Sequence, residues 1–365
     1  MDGHARCRPG RSGTLSRSGR TSSWERAYRR PGPRSGRPLD EDDVRVRPGR
    51  GSRPRTRTRP KHEDAEPGMV IAVDRGRYTV LVGETRLTAV QARELGRGSV
   101  VVGDRVAVVG DLSGGPDTLA RIVRVEPRRT VLRRSADDTD PYERVVVANA
   151  DQLVVVTSLA DPPPRVGLID RFLVAAYVGG LDPLLCLTKA DLAPPDELLA
   201  AYGPLGIPSV VIGRPLTSQV LAPLRKYATG RISVLVGHSG VGKSTLVNAL
   251  IPDADRVVGE VSPVTGRGRH TSSSVVALPL PGGGWIIDTP GLRSFGLAHV
   301  TPERVVRAFP DLAGGVAACP PGCTHSEPDC ALDDWVRDQG SDPRLLARLD
   351  SLRRLLRSRE GAEPA

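Results

Sequence analysis

From residue 68 onward the chain is patterned; before it, apolar residues show almost no periodicity. Met69-Val70-Ile71-Ala72-Val73 and Tyr78-Thr79-Val80-Leu81-Val82 are β-rich runs, separated by Asp74-Arg75-Gly76-Arg77, which has the composition of a hairpin turn. The apolar run of residues 100–109 and Ala120-Arg121-Ile122-Val123-Arg124-Val125 continue the pattern. About five short strands in so short a stretch predict a small barrel, with the OB-fold as the natural form. Residues 127–141 are polar and basic and read as a linker. From 145 to 300 apolar strands alternate with helical spacing. Gln152-Leu153-Val154-Val155-Val156-Thr157, Pro183-Leu184-Leu185-Cys186-Leu187, Ser209-Val210-Val211-Ile212, Arg231-Ile232-Ser233-Val234-Leu235-Val236 and Trp285-Ile286-Ile287 read as strands, and residues 168–177 as a helix. Such alternation predicts a parallel sheet covered by helices. A last helix is expected over 342–359, with Leu345, Leu346, Leu349, Leu352, Leu355 and Leu356 on one stripe. Its arginines lie mostly off that stripe, and two uses stay open: packing on its own module, or an RNA-facing surface.

Composition changes this picture in two places. The chain is 39% hydrophobic but only 3% aromatic, so Val, Leu, Ile and Ala must fill its cores. No apolar run approaches the roughly 18 residues of a membrane span, and the first residues lack a signal-peptide core. A cytoplasmic protein without membrane contact is expected. Of the net charge of +10, almost all sits in residues 1–66, which hold 18 Lys+Arg against 9 Asp+Glu. That segment is rich in Arg, Gly, Pro and Ser and buries too little to offset the entropy of ordering, so a disordered basic tail is expected. An arm that attracts nucleic-acid phosphate and a solvated extension are both open readings. The barrel is likewise open between binding nucleic acid and packing on the next domain. Base stacking by OB-folds uses aromatics, and Tyr78 is the single one in this stretch.

The chemistry lies in three motifs and their order. Gly237-His238-Ser239-Gly240-Val241-Gly242-Lys243-Ser244 is a complete G-x-x-x-x-G-K-[ST] between an apolar strand and a helix that begins with Thr245. Its glycines let backbone N–H groups close around phosphates, Lys243 reaches the β- and γ-phosphates, and the Ser244 hydroxyl ligates Mg²⁺. Asp288-Thr289-Pro290-Gly291 ends another strand; Asp288 would hold the ion through water, and the Gly291 amide would meet the γ-phosphate. Thr188-Lys189-Ala190-Asp191 ends a third. Asp191 would accept from the guanine N1–H and exocyclic amine, a donor pair adenine does not offer, with Lys189 along the base plane. In an ordinary small GTPase the phosphate loop leads and the K-x-D element comes last. Here K-x-D comes first, as in a circularly permuted domain. Between the phosphate loop and Asp288, residues 265–274 are polar and glycine-bearing, like a switch loop in which Thr271 would ligate Mg²⁺. Leu292 stands where many GTPases carry a water-orienting Gln, which leaves His270 as the candidate catalytic group.

A fourth constellation is Cys319, Cys323, His325 and Cys330, spaced C-x3-C-x-H-x4-C. Three thiolates and one imidazole make a tetrahedral Cys₃His zinc set with no open position, hence a structural site. Cys7 and Cys186 stand apart as bystanders.

Together these residues resemble the RsgA family, GTPases dependent on the small ribosomal subunit, over about residues 68–335. Asn149-Ala150-Asp151-Gln152, Ile169-Asp170-Arg171-Phe172-Leu173 and Gly266-Arg267-Gly268-Arg269-His270-Thr271 also look like family sequence. The resemblance implies GTP hydrolysis, stimulated by the small subunit during its late maturation. Three features depart from it. Thr188 stands in place of an Asn that braces neighbouring loops, which predicts a lower nucleotide affinity. No Ser-Ala base-contact element is visible near Ile212-Gly213. The zinc spacing is shortened.

The resulting expectation is a disordered tail over 1–66, an OB-fold barrel over 67–128, a circularly permuted P-loop α/β GTPase domain over 143–300 and a zinc-binding, mainly helical module over 301–365. GTP or GDP with Mg²⁺, one Zn²⁺ per chain, the small ribosomal subunit and its rRNA are the expected ligands and partners of a monomer. A nucleotide-gated RNA-binding scaffold with negligible turnover is the rival, and a P-loop ATPase with a coincidental K-x-D is a third reading.

Overall fold

The computed structural model describes residues 62–96, 99–115, 117–135, 143–252, 254, 275–289, 295–297, 300–327 and 329–359, all within the compact unit Pro60–Ala365. The basic tail, His270, Thr271, Gly291 and Leu292 lie outside the described residues.

Five strands close the first barrel: β1 (Glu66–Asp74), β2 (Arg77–Val82), β3 (Thr85–Gln91), β4 (Arg105–Gly110) and β5 (Ala120–Val125). Their order is β1-β2-β3-β5-β4, and β4 pairs back onto β1. Every pairing is antiparallel except β3 with β5. This is the five-stranded barrel expected, with β3 as the strand that the apolar pattern left unlocated. The run of residues 100–109 does not form one strand. It turns at Gly103, whose φ is +88° and where a Cβ would come within 1.9 Å of the Ala148 carbonyl oxygen. Asp104 then fixes the turn, accepting from the Val101 N–H at 2.8 Å and from the Arg128 guanidinium at 2.7 and 2.8 Å. Tyr78 points into the barrel core and donates to Gln91 at 2.5 Å, so it offers no exposed face for base stacking.

Residues 127–141, expected to be a linker, contain β6 (Val131–Arg134), which pairs with β7 (Arg144–Ala148). The four residues of β6, two of them arginines, give no alternation to read. The junction with the barrel is hydrogen-bonded. Asn149, at φ +55°, donates from its amide to the Gly103 carbonyl at 3.0 Å and accepts from the Arg129 N–H at 2.9 Å.

The main sheet comprises β8 (Gln152–Ser158), β9 (Asp182–Thr188), β10 (Ser209–Ile212), β11 (Ile232–Val236), β12 (Val276–Pro279) and β13 (Trp285–Asp288). Its order is β10-β9-β8-β11-β13-β12, parallel but for β12. β8 is buried along its whole length, its apolar run Leu153 to Val156 flanked by the buried polar residues Gln152, Thr157 and Ser158. α1 (Val166–Gly179), α2 (Asp196–Tyr202), α3 (Ser218–Ala228) and α4 (Lys243–Leu250) connect the strands. β12 continues into the barrel through Ala72 and Val276.

The remaining α-helices among the described residues are α5 (Pro302–Val306), α6 (Ala313–Val316), α7 (Ala331–Asp338) and α8 (Pro343–Arg359). On α8, Leu349, Leu352, Leu355 and Leu356 are buried, but Leu346 is 44% exposed and leaves the expected stripe. The period of 3.6 carries it past the edge of the face that α1 covers. The α8 arginines are largely engaged. Arg348 pairs with Asp311 at 2.7 Å and lies 4.5 Å over the Phe309 ring, and Arg353 grips Asp333 at 2.9 and 2.6 Å. Arg354 bonds Asp170 at 3.0 Å and lies 4.7 Å over Tyr202. For these three the packing use holds.

Candidate nucleotide and metal sites

Because β9, β11 and β13 run parallel, the loops that follow them emerge at one end of the sheet. The chain goes from β8 outward to β9 and β10, then returns to β11 on β8's other side. The crevice at that switch in order is where open α/β sheets bind ligands. The three nucleotide motifs follow those strands, so the fold assembles them irrespective of their order in the chain.

The phosphate loop is fixed by close approach. At Gly237 a Cβ would come within 2.2 Å of the Val156 carbonyl oxygen, and Gly242, at φ +97°, starts α4 with no side-chain cap. The first-turn N–H groups of α4 are thereby left for an anionic ligand. Lys243 is buried and donates to the carbonyls of Gly237 at 2.7 Å and His238 at 2.9 Å. Burial pulls its pKa down, opposed by the charge of Asp288. Ser244 and Thr245 are exposed on the same turn.

Asp288 ends β13 in register with Leu235 of β11. Burial pushes its carboxyl up to about 6, against the pull of Lys243 and the Thr289 N–H. Its Oδ1 is buried without a hydrogen-bond partner. A buried, unsatisfied carboxylate oxygen beside the phosphate loop is the donor a divalent cation needs, so the residues fit Mg²⁺. Thr289 anchors the turn by donating to the Leu235 carbonyl at 2.7 Å.

At the K-x-D element, the Thr188 hydroxyl donates to the Val241 carbonyl of the phosphate loop at 2.7 Å, with the Thr157 carbonyl at 3.2 Å. The residue that replaces Asn therefore still ties two nucleotide loops together. Lys189, at φ +59°, donates to the Asp161 carbonyl. Asp191 accepts from the Arg214 N–H at 2.9 Å, and the Gly213 Cα faces the Asp191 backbone closely enough that a Cβ would lie 3.3 Å from its nitrogen. The loop after β10 thus borders the Asp191 carboxylate, the candidate base reader, with its main chain. Sequence reasoning missed it because it looked for side-chain identity. The signal available was Gly213 and Pro215 at a strand end.

The metal cluster is assembled. The donor atoms of Cys319, Cys323, His325 and Cys330 all lie within 4.8 Å of one another and can hold a metal ion. Cys319 Sγ is 3.8 Å from Cys330 Sγ and 3.5 Å from His325 Nδ1, and Cys330 Sγ is 3.9 Å from that nitrogen. Metal–sulfur bonds of about 2.3 Å give tetrahedral edges of about 3.8 Å, so the donor set fits. Glu327 organises the loop. Its carboxylate accepts from the Thr324 hydroxyl and N–H, which hold its pKa down to about 2. Cys186 is buried in the main core, where desolvation pushes its thiol up to about 12. Among the described residues no helix is long and apolar enough to cross a membrane.

Comparison with known proteins follows this geometry. A family model for the RsgA GTPase matches residues 125–298. The Pseudomonas aeruginosa (strain LESB58) protein described as "Small ribosomal subunit biogenesis GTPase RsgA" is 39% identical over 257 residues, covering 68% of this chain and 74% of its own length. The chain belongs to the RsgA GTPase family. A second RsgA relative, "Small ribosomal subunit biogenesis GTPase RsgA 1" of Vibrio vulnificus (strain YJ016), is 36% identical over 287 residues, 75% of this chain and 79% of that one. The crystal structure of YjeQ from Thermotoga maritima superposes with a TM-score of 0.57 at 26% identity, covering 80% of this chain and 98% of that one. YloQ, described as a circularly permuted GTPase, shares the fold with a TM-score of 0.57 at 23% identity, over 84% and 98% of the two chains. The RsgA family hydrolyses GTP, and the rotated motif order is its permuted topology.

Proposed function

We propose that this protein is a cytoplasmic, monomeric GTP hydrolase that acts as a switch in late maturation of the small ribosomal subunit. The observation that carries the reading is the convergence of the phosphate loop, Asp288 and Asp191 at one end of a permuted parallel sheet. The relatives' descriptions supply the assembly on which it acts. Gly237, His238, Ser239, Gly240, Val241, Gly242 and Thr245 cradle the phosphates with their main chain, and Lys243 exchanges its carbonyl partners for phosphate oxygens. Asp191 selects guanine, the main chain of Gly213 and Arg214 borders the base, and Thr188 and Lys189 hold the surrounding loops. Ser244 and Asp288, with Thr271, hold Mg²⁺, which when bound draws charge off the phosphates. Gly291 meets the γ-phosphate, and His270 orients the attacking water. Cys319, Cys323, His325 and Cys330 hold one structural Zn²⁺ per chain. The barrel and the zinc module contact rRNA.

One assay tests this: GTP turnover with purified small subunits, with large subunits and with neither, each with excess ATP as competitor. Turnover that rises only with small subunits and resists ATP is the expected result. Binding without turnover would restore the scaffold reading, and competition by ATP the ATPase reading.

A further inference from the structure

α1 runs back from the nucleotide end of the sheet, so its last turn lies at the opposite end, where the parallel strands begin. There a small open cleft of about 200 Å³ lies between β6, the end of α1 and α5. Three guanidinium groups border it, those of Arg129, Arg133 and Arg304, and among its lining residues there is no acid. Beneath them lie the apolar side chains of Val131, Ala175 and Val178. Two of the arginines hold acids outside the cleft, Arg129 with Asp151 at 3.2 Å and Arg133 with Glu143 at 2.5 Å. Both pairs are solvent-exposed, the two arginines by 63% and 39%. Exposed pairs contribute little, so a stronger anion can replace the acid at small cost. Arg304 has no ion-pair partner among the described residues. GTP is not the occupant, because its loops are at the other end of the sheet.

We propose that this cleft docks a single-stranded segment of RNA, the arginines taking backbone phosphates and the apolar surface taking the face of a base or ribose. The proposal deepens the rRNA-binding reading above and rests on it. Guanidinium forks match phosphate oxygens two at a time, and an apolar surface beneath them suits a nucleotide better than a bare anion. The three arginines come from β6, the segment before it, and α5, so the cleft joins the hairpin to the helical module. RNA bound there would bridge parts of the protein remote from the nucleotide.

The test uses the full chain and a fluorescein-labelled 12-nucleotide oligouridylate, titrated between 50 and 200 mM salt. The variants are Arg133→Gln/Arg304→Gln and, singly, Arg304→Glu. Each lost phosphate contact removes about 0.7 from the slope of log affinity against log salt, so the double variant should lose about 1.4. Its affinity at low salt should fall about tenfold or more, while GTP affinity and thermal melting stay at wild-type values. Arg304→Glu should weaken binding with the same signature, which guards against damage to the β6–β7 hairpin in the double variant. Variants that bind the oligonucleotide like wild type would overturn the site. So would saturation of the cleft by inorganic phosphate or uridine monophosphate at sub-millimolar concentration with no change in oligonucleotide binding, since the cleft would then be a free-anion site. A wild-type chain that binds neither oligonucleotide nor small subunits would remove the RNA-binding reading itself. Wild-type binding with unaffected variants would remove only this cleft.

Discussion

Two residues at and just after the end of β9, Thr188 and Asp191, have proposed nucleotide roles that differ in kind. Thr188 has one hydroxyl proton, and its shorter contact is to the Val241 carbonyl, inside the phosphate loop. Thr188→Val keeps the shape and removes the donor, leaving a carbonyl of a buried residue short of its partner. The expected loss is about 1–1.5 kcal/mol of loop stability, read as a roughly five- to tenfold weaker GTP affinity by titration, with guanine preference unchanged. An unaltered affinity would mean that the phosphate loop holds its shape without the brace. Asp191 is the proposed reader of the base. Its Oδ1 already accepts the Arg214 N–H, so an amide oxygen at that place can keep the loop after β10 where it is. Asp191→Asn should therefore cost base recognition rather than fold: roughly 1–3 kcal/mol in GTP binding, the scale for a bond to a charged group, and a relaxed preference for guanine over xanthine. Equal binding of GTP by the variant and the wild type would remove Asp191 from the base site.

At the scale of elements, α8 joins the metal module to the nucleotide-binding sheet through two consecutive residues. Arg353 donates to the His325 carbonyl at 3.1 Å and to Asp333, which places it against the metal cluster. Arg354 donates to Asp170 of α1, a carboxylate with no exposed surface. Arg354→Ala leaves that carboxylate buried and unpaired. The expected cost is about 3–5 kcal/mol in urea unfolding, largely recovered when Asp170→Asn is added. Loss of the metal should loosen the same module from its other side. The purified protein should contain about one zinc per chain, and Cys323→Ser should lose it together with amide-exchange protection around Cys319 and Cys330. A zinc-free protein with full protection there would show that the loop is held by Glu327 and packing alone. Ile169-Asp170-Arg171-Phe172-Leu173 was legible in the sequence as helical spacing and family-like text, but its use was not. Asp170 meets a helix 184 residues away, and Arg171 donates to the Phe295 carbonyl at 2.7 Å, 124 residues away. Periodicity reports which face of a helix is buried; it is silent about which polar residues are buried in pairs. For the same reason the sequence left the arginines of α8 open between packing and an RNA-facing surface, and three of them close on Asp311, Asp333 and Asp170.

For the whole molecule, the order of motifs was legible because each motif is local and each ends a strand, and a parallel sheet gathers strand ends whatever their order. The barrel was legible from alternation, whereas the β6–β7 hairpin was not, because the four residues of β6 include two arginines and show no alternation, and the Asn149–Gly103 junction was not, because its partners lie 46 residues apart. Hydrolysis depends on the same kind of distant coupling. Lys243, Asp288 and Thr188 are held by hydrogen bonds or register within the sheet and its loops, so the binding half of the site is built into the fold. Leu292 cannot orient an attacking water, and His270, the proposed catalytic group, belongs to the long polar, glycine-bearing segment 265–274. If that segment acts as a switch loop, the free protein should be slow. Docking on the small subunit would fix the segment and bring the imidazole within hydrogen-bond distance. His270→Ala should then keep GTP affinity and subunit binding while subunit-stimulated turnover falls by about 10²–10⁴-fold, the range for one positioned acid or base. Lys243→Ala should lose nucleotide affinity as well, because its ammonium meets the phosphates in the ground state. Measured side by side in single-turnover assays on small subunits, the two variants separate trigger from binding. A His270→Ala protein that turns over GTP on subunits at the wild-type rate would move the trigger off this chain, to a group that the subunit itself supplies.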